Sequence, residues 1–335
     1  MSLLGTGIVP SGDVGNQLTA LTRRSFIPRL IVQFGNVTPT ISAALANAQM
    51  CSGGVSSVTV PVQGAAITDA QATDYSGNFN QPANTNYIGN AEYNLKCIIV
   101  PIPFLGMEGI LQLDAAVIPL IEARMNDAGN SLKTYANTYM LTNATDGTIN
   151  LDGLPLIAAE SGTYGNISKT TNAWWQGNVI TAGSVDPTRN LMLRYFVSAT
   201  NHNLGEAPNM AIMSPGTWAK LAEDYQSKET YMITPGNQFA STTQGAGTGF
   251  MALMVANCPI YIDPGVADGE CYFFNTKYLS FYIHEAAAFA FTGFASTLPN
   301  FTLGYIGALV SVMEFICVRP RSITKVTGLN SLTLT

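Results

Sequence analysis

Charge is scarce in this chain. Only 11% of its 335 residues are Asp, Glu, Lys or Arg, against about 25% in an ordinary soluble domain. A soluble monomer keeps more charge than this on its surface to resist self-association. Histidine is scarcer still, with His202 and His284 the only two. Neither stands in a His-x-x-x-His or His-Glu-x-x-His spacing, so no helix offers a two-histidine metal site. The nucleophile elbow Gly-x-Ser-x-Gly is absent, which leaves a hydrolase only a triad assembled from distant residues. The five cysteines, Cys51, Cys97, Cys258, Cys271 and Cys317, form no Cys-x-x-Cys pair. Their odd number argues for free buried thiols in a reducing compartment. Residues 286–313 carry no charge, but Thr292, Ser296, Pro299, Asn300 and Thr302 interrupt them. No run of ~18 apolar residues results, so strands and turns are expected there rather than a membrane span. The opening Met1–Gly7 also lacks the basic and apolar regions of a signal peptide.

Asn, Thr, Ser and Gly take the place of the missing charge, a texture that suits surface covered by other protein. The formal net charge of −6 is unevenly spread. Residues 1–50 carry Arg23, Arg24 and Arg29 against Asp13, and residues 315–335 carry Arg319, Arg321 and Lys325 with no acid. The body between them is strongly acidic and cannot supply the basic stripe that grips phosphates; only the two ends could lie near a polyanion. The glycine-rich Gly245–Gly249 lacks the following Lys-Ser/Thr of a phosphate loop. Asp263, Asp268 and Glu270 invite a calcium reading, but Asp263-Pro264-Gly265 and Asp268-Gly269 are ordinary turn chemistry.

Along the chain, residues 1–50 read as an extended arm punctuated by Gly and Pro. Val55–Val62 and Tyr93–Phe104 read as strands flanking about thirty polar residues, a projecting two-stranded loop. Residues 108–140 read as a long helix with a stripe at Leu113, Val117, Ile121, Met125, Ala128, Leu132, Tyr135 and Tyr139. A second helix is expected with Asp186 as N-cap and Pro187 at the first helical position. The strand Asn209–Met213 leads into a third helix starting at Ser214-Pro215. From Phe250 onward the texture is mostly β, with Cys258–Asn275 read as strand, turn, turn, strand and Gly307–Val318 as the last long strand. No repeat of 20–50 residues is present.

The stretch Thr163–Trp175, T-Y-G-N-I-S-K-T-T-N-A-W-W, sets two adjacent tryptophans at the end of a small, polar loop with a single charge, Lys169. Such aromatics either stack on a sugar or base or anchor a loop by burial; the anchoring role is the simpler.

This loop is similar to a peripheral-domain motif of the major capsid proteins of tailed double-stranded DNA phages, written Tyr-Gly-Gly-Ile-x-Arg-x-x-x-Pro-x-Trp. The chain has Asn166 at the second glycine, Lys169 at the arginine and Ala173 at the proline. The run C-P-I-Y-I-D-P-G-V-A-D-G-E-C-Y-F-F-N, Cys258–Asn275, likewise resembles the axial-domain strand pair of that family.

The resemblance implies an α+β, Hong Kong 97-like capsid fold, divided into an N-terminal arm at 1–50, an extended β-hairpin loop at 51–104, a peripheral domain with a long spine helix at 105–215, an axial domain at 216–300, and a return strand with C-terminal tail at 301–335. It implies a non-enzymatic shell subunit without cofactor or metal, assembling with itself as hexamers and pentamers around double-stranded DNA in a virion capsid built in the host cytoplasm. Further partners on this reading are a separate scaffolding protein, a portal and decoration or cement proteins, with no membrane. Tyr164, Ile167, Lys169, Trp174 and Trp175 become candidates for loop anchoring or assembly, and Arg23, Arg24, Arg29, Arg319, Arg321 and Lys325 for proximity to DNA. Residues 51–95 hold no lysine, so covalent cross-linking of subunits through the extended loop is not expected. The competing readings are an encapsulin-like compartment with a protein cargo and, in another class, a secreted β-rich glycan-binding protein using Trp174 and Trp175.

Overall fold

The structure, a computed structural model, describes residues 38–54, 56–64, 77, 88–105, 120–147, 149–226, 252–293, 295–296 and 304–333. Its helices and mixed sheets make an α+β chain. The described residues fall into two compact units. One draws on 97–135 and 286–312, the other on 38–96, 136–285 and 313–335.

The larger unit is built on a six-stranded sheet. Its strands run in the order Asn178–Val185, Thr324–Leu329, Cys271–Phe274, Met210–Met213, Cys258–Ile262 and Ala252–Val255. The central strands M-A-I-M and C-Y-F-F are buried at every residue, which is why they read as unbroken apolar runs rather than alternating ones. Helices Arg189–His202 and Pro215–Gln226 cover the sheet, setting Met192, Tyr195, Ala199 and Leu221 against Ala211, Met213, Ile260 and Phe273.

The third helix begins where Ser214-Pro215 places it, but the second starts two residues later than expected. Thr188 is its N-cap, with Oγ1 accepting from the Leu191 N–H at 3.3 Å. Asp186 instead accepts from Asn330 Nδ2 at 2.7 Å, so tertiary pairing takes it away from the cap.

Two further expectations are corrected. Strands Cys258–Ile262 and Cys271–Phe274 are not partners, because Met210–Met213 lies between them, parallel to the first and antiparallel to the second. Two consecutive turns, closed by Val266 N–H to Asp263 O and Glu270 N–H to Ala267 O, carry the chain across that strand. The return strand of the extended loop is Ile88–Asn94, paired antiparallel with Ser57–Gln63 from Ser57↔Asn94 to Gln63↔Ile88. Lys96–Leu105 is a separate strand that pairs with Gly304–Cys317. The sequence I-G-N-A-E-Y-N hides its strand character because only Ala91 and Tyr93 face inward.

In the same larger unit, Leu279–His284 pairs antiparallel with the C-terminal part of Gly304–Cys317 and parallel with Gln49–Cys51. The helix Pro39–Ala46 precedes that last strand. Thr40 Oγ1 donates to the buried Asp263 Oδ2 at 2.5 Å, and the Gly265 N–H to Asp263 Oδ1 at 3.0 Å. Asp263 therefore serves as a turn residue and a docking point for the segment 38–46. In the smaller unit, the N-terminal part of Gly304–Cys317 pairs antiparallel with Ala290–Phe291 and Ala295–Ser296.

The described part of the long helix is Leu120–Thr142. Its buried face is Ala123, Ala128, Leu132, Ala136 and Met140, while Met125 is exposed. Alanines allow close packing, so the stripe runs along a slightly different line from the one drawn through the larger side chains. Its expected beginning at 108–119, the arm residues 1–37 and the loop Gly245–Gly249 lie outside the described residues. Among the described residues no helix is long and apolar enough to cross a membrane, and no group of three or more metal-ligating side chains occurs.

Candidate functional site

The tryptophan loop folds as a small β-hairpin followed by a 3-10 turn. Thr163–Tyr164 pairs antiparallel with Ile167–Ser168 around Gly165 and Asn166, whose φ values are +58° and +63°. A two-residue hairpin turn with both central residues left-handed matches the twist of its strands, and Gly and Asn are the residues that tolerate it. Asn166 is therefore a workable replacement for the second glycine of the motif. Ala173–Trp175 closes the loop as the 3-10 turn.

Lys169, the loop's only charge, is fully buried. Its Nζ donates to the carbonyls of Leu156, Ile157 and Ala159 at 2.6, 2.7 and 2.9 Å. These are carbonyls at the C-terminal end of the short helix Leu154–Ala158 and its cap, where Leu156 O and Ala159 O also accept long bonds from the N–H groups of Ala159 and Gly177 at 3.3 and 3.4 Å. A long cationic side chain thus caps a helix from a distant loop, where a cation also suits the helix dipole. Burial pushes the ammonium down to about 8.

The aromatics extend this anchor to two other parts of the chain. Trp175 is buried and its Nε1 donates to Tyr164 O at 2.8 Å. The ring of Tyr164 lies 6.1 Å from that of Trp175 and 5.2 Å from that of Tyr93, centroid to centroid. Tyr93 belongs to the ribbon strand Ile88–Asn94, and the neighbouring Glu92 N–H donates to Gly165 O at 3.0 Å. The Tyr164 hydroxyl accepts from the Cys317 N–H at 2.8 Å, reaching the end of the long 304–317 strand. Trp174 is half-buried and lies on Gly64, just past the other ribbon strand. A Cβ at Gly64 would stand 2.5 Å from its Cε2 and Cζ2 atoms.

The structure thus brings Tyr164, Lys169, Trp174 and Trp175 together, with Ile167 in the hairpin beside them. The polar groups of Tyr164, Lys169 and Trp175 are bonded within the protein, and the cluster holds the loop, the foot of the ribbon and the 304–317 strand in one register. Sequence reading missed Tyr93 and Gly64 as its partners. Tyr93 carried one weak signal, the two-residue spacing from Ala91 in an otherwise polar strand.

The basic candidates stand elsewhere. Arg319 Nη1 donates to Glu206 Oε2 and Tyr278 Oη, both at 2.9 Å, and its Nη2 to Asn203 O at 3.2 Å. Lys325 Nζ pairs with Glu270 Oε1 at 2.6 Å. Both therefore sit opposite acids of their own chain. Arg321 follows Pro320 in a 3-10 turn and is half-buried, with its Nε unpaired among the described residues. Arg23, Arg24 and Arg29 lie outside the described residues.

No protein-family model and no curated protein sequence matches the chain. Solved structures do. A capsid chain of cyanophage A-1(L) aligns over 93% of this chain and 99% of its own length, with a TM-score of 0.64 at 13% identity. The capsid chain of Myoviridae phage XM1 aligns over 91% and 97%, with a TM-score of 0.56 at 10% identity. An encapsulin from Synechococcus elongatus aligns over 95% and 96%, with a TM-score of 0.58 at 10% identity. At these identities the likeness speaks for architecture, and it runs nearly end to end in both partners of each comparison. The chain has the Hong Kong 97-like fold of tailed-phage capsid proteins.

Proposed function

We propose that this chain is a major capsid protein, a non-enzymatic subunit that assembles with copies of itself as hexamers and pentamers of an icosahedral shell around double-stranded DNA. The observation that carries this reading is the full-length match to phage capsid chains, which leaves no large part of the fold for another task. The surface supports it. Leu193, Val197, Leu204, Ile88, Ile99 and Ile149 are all exposed in the single chain, and charge is scarce. Surface of this kind is suited to burial in many repeated contacts, whose modest energies sum in a closed assembly. The virion is the corresponding location, with assembly in the host cytoplasm, and a scaffolding protein, portal and decoration proteins are the expected partners.

DNA would be held without sequence readout. Arg319 and Lys325 are already matched by Glu206 and Glu270, which leaves Arg321, Arg23, Arg24 and Arg29 as the bases for that role. The acidic body limits sticking of the genome to the wall.

The full-length similarity to an encapsulin favours a second reading, a compartment shell with a protein cargo. Electron microscopy of the purified chain, with nuclease protection and mass spectrometry of the contents, separates the readings. Closed shells protecting DNA support the capsid; closed shells enclosing a single protein species support the compartment. A uniform small species that never assembles, alone or with co-expressed neighbouring viral proteins, rejects both.

A further inference from the structure

The strand Gly304–Cys317 carries a glutamate into the interior of the larger unit. Glu314 is fully buried, and Asp152, just before the helix Leu154–Ala158, is nearly so. The two interlock. The Asp152 N–H donates to Glu314 Oε1 at 2.8 Å, and the Phe315 N–H donates to the same oxygen at 3.0 Å. Two further oxygens of the pair, Glu314 Oε2 and Asp152 Oδ1, are buried without a hydrogen-bond partner among the described residues. Lys96 Nζ stands 4.0 Å from Glu314 Oε2, close enough for attraction but too far for a hydrogen bond.

Other ionisable groups face the pair. Asp146 acts on Asp152 as a second negative charge. The phenols of Tyr93 and Tyr164 lie on the Asp152 side, and Tyr282 stands opposite Glu314 in the antiparallel pairing. Lys96 is therefore the cation facing the two carboxyl groups among the described residues. With both ionised, the trio keeps a net negative charge out of water. With one proton added it is neutral, and the pair gains a donor where two of its buried oxygens lack one.

We propose that Asp152 and Glu314 hold one proton between them at neutral pH, and that this proton latches the 304–317 strand to the segment 152–158 and to the foot of the ribbon at Lys96. Its loss loosens the joint. The direction of titration agrees: burial pushes Asp152 up to about 6 and Glu314 well above the ordinary carboxylate range. A carboxyl whose folded value is raised keeps its proton when folded and loses it when the joint opens. The latch is therefore strongest in mild acid and weakens as pH rises from about 4.5 through the pair's own titration. Opening grows by up to about tenfold per pH unit for each proton released in that window. This inference does not depend on what the protein assembles into.

The test is amide hydrogen exchange of the full chain between pH 5 and 7, read at Asp152, Phe315 and Cys317 and corrected for the intrinsic base-catalysed rate. It is compared in wild type and Glu314→Gln, whose amide supplies a donor at every pH. Above pH 6, where the raised Asp152 has already ionised, the opening constant is expected to keep rising with pH in wild type, by about tenfold per unit at most, and to level off in the variant. The same rise in both overturns the proposal. Should Glu314→Gln fail to fold, Asp152→Asn and a carbon-13 titration of the wild-type carboxyl groups decide. A carboxyl signal still protonated above pH 5.5 supports the latch, and full ionisation of both groups by pH 5 overturns it.

Discussion

The hydroxyl of Tyr164 accepts the backbone N–H of Cys317 at 2.8 Å, joining residues 153 positions apart. That N–H is buried, as is the residue that satisfies it. Tyr164→Phe keeps the ring contacts with Tyr93 and Trp175 while removing the acceptor. A buried donor left unsatisfied costs about 1–3 kcal/mol. A drop of that size is expected in the urea-unfolding free energy of the unassembled subunit. An unchanged value would mean that water takes the place of the hydroxyl.

Gly64 and Trp174 give a sharper test of how the ribbon is seated. A Cβ at Gly64 meets the indole at 2.5 Å, so Gly64→Ala forces a shift costing about 1–3 kcal/mol. In a Trp174→Ala background that collision has no partner, and the second substitution should cost much less. A double-mutant cycle measures the difference as a coupling energy. Strictly additive effects would show that the indole does not rest on Gly64.

Lys169 links the loop to pH. Its folded value lies near 8 against an ordinary 10.5 because burial disfavours the ammonium. Between those values the unfolded chain binds more protons than the folded one, so stability rises with pH by up to about 1.4 kcal/mol per unit. Below pH 8 both states are charged and this contribution is flat. Lys169→Met should abolish the rise while removing the ammonium from the carbonyls of Leu156, Ile157 and Ala159, of which Leu156 O and Ala159 O keep the N–H groups of Ala159 and Gly177. Melting curves from pH 7 to 10.5 for both proteins check the slope.

The bond from Thr40 to Asp263 ties down the segment 38–46. Thr40→Val removes a buried donor to a carboxylate, worth about 1.5–3 kcal/mol. Limited proteolysis of the subunit should then cut within residues 38–48 faster than in wild type, with the sheet core unchanged. Equal cutting rates would assign the anchoring to the buried Pro39, Ile41 and Ala44 and to the bonds of Thr38 with Asn137 and of Asn47 with Thr276.

Much of this was legible from local pattern. The buried strands Met210–Met213 and Cys271–Phe274 announce themselves as apolar runs, and Ser214-Pro215 marks a helix start that needs no tertiary help. The ribbon strand Ile88–Asn94 was not legible, because a two-stranded element shows only Ala91 and Tyr93 to the interior. The pairing order in the large sheet was equally hidden. Cys258–Ile262 and Cys271–Phe274 are neighbours in sequence, yet Met210–Met213 separates them, and no local signal records which strand inserts between two others. Asp186 looked like a helix cap because cap preference is local, but Asn330 claims its side chain from the far end of the chain.

The sequence by itself determined an α+β chain with scarce charge, two histidines in no ligand spacing, and a loop whose Gly165, Asn166 and tryptophans specify a tight turn and a hydrophobic anchor. Those features follow from backbone sterics and side-chain solubility, which act over a few residues. Only the tertiary structure decided what the anchor holds. Lys169 caps a helix ten residues or more away, Trp174 lies on Gly64, and Tyr164 completes the backbone of Cys317. A buried polar group needs a partner wherever in the chain one can be brought within hydrogen-bonding distance, and that choice is made by packing.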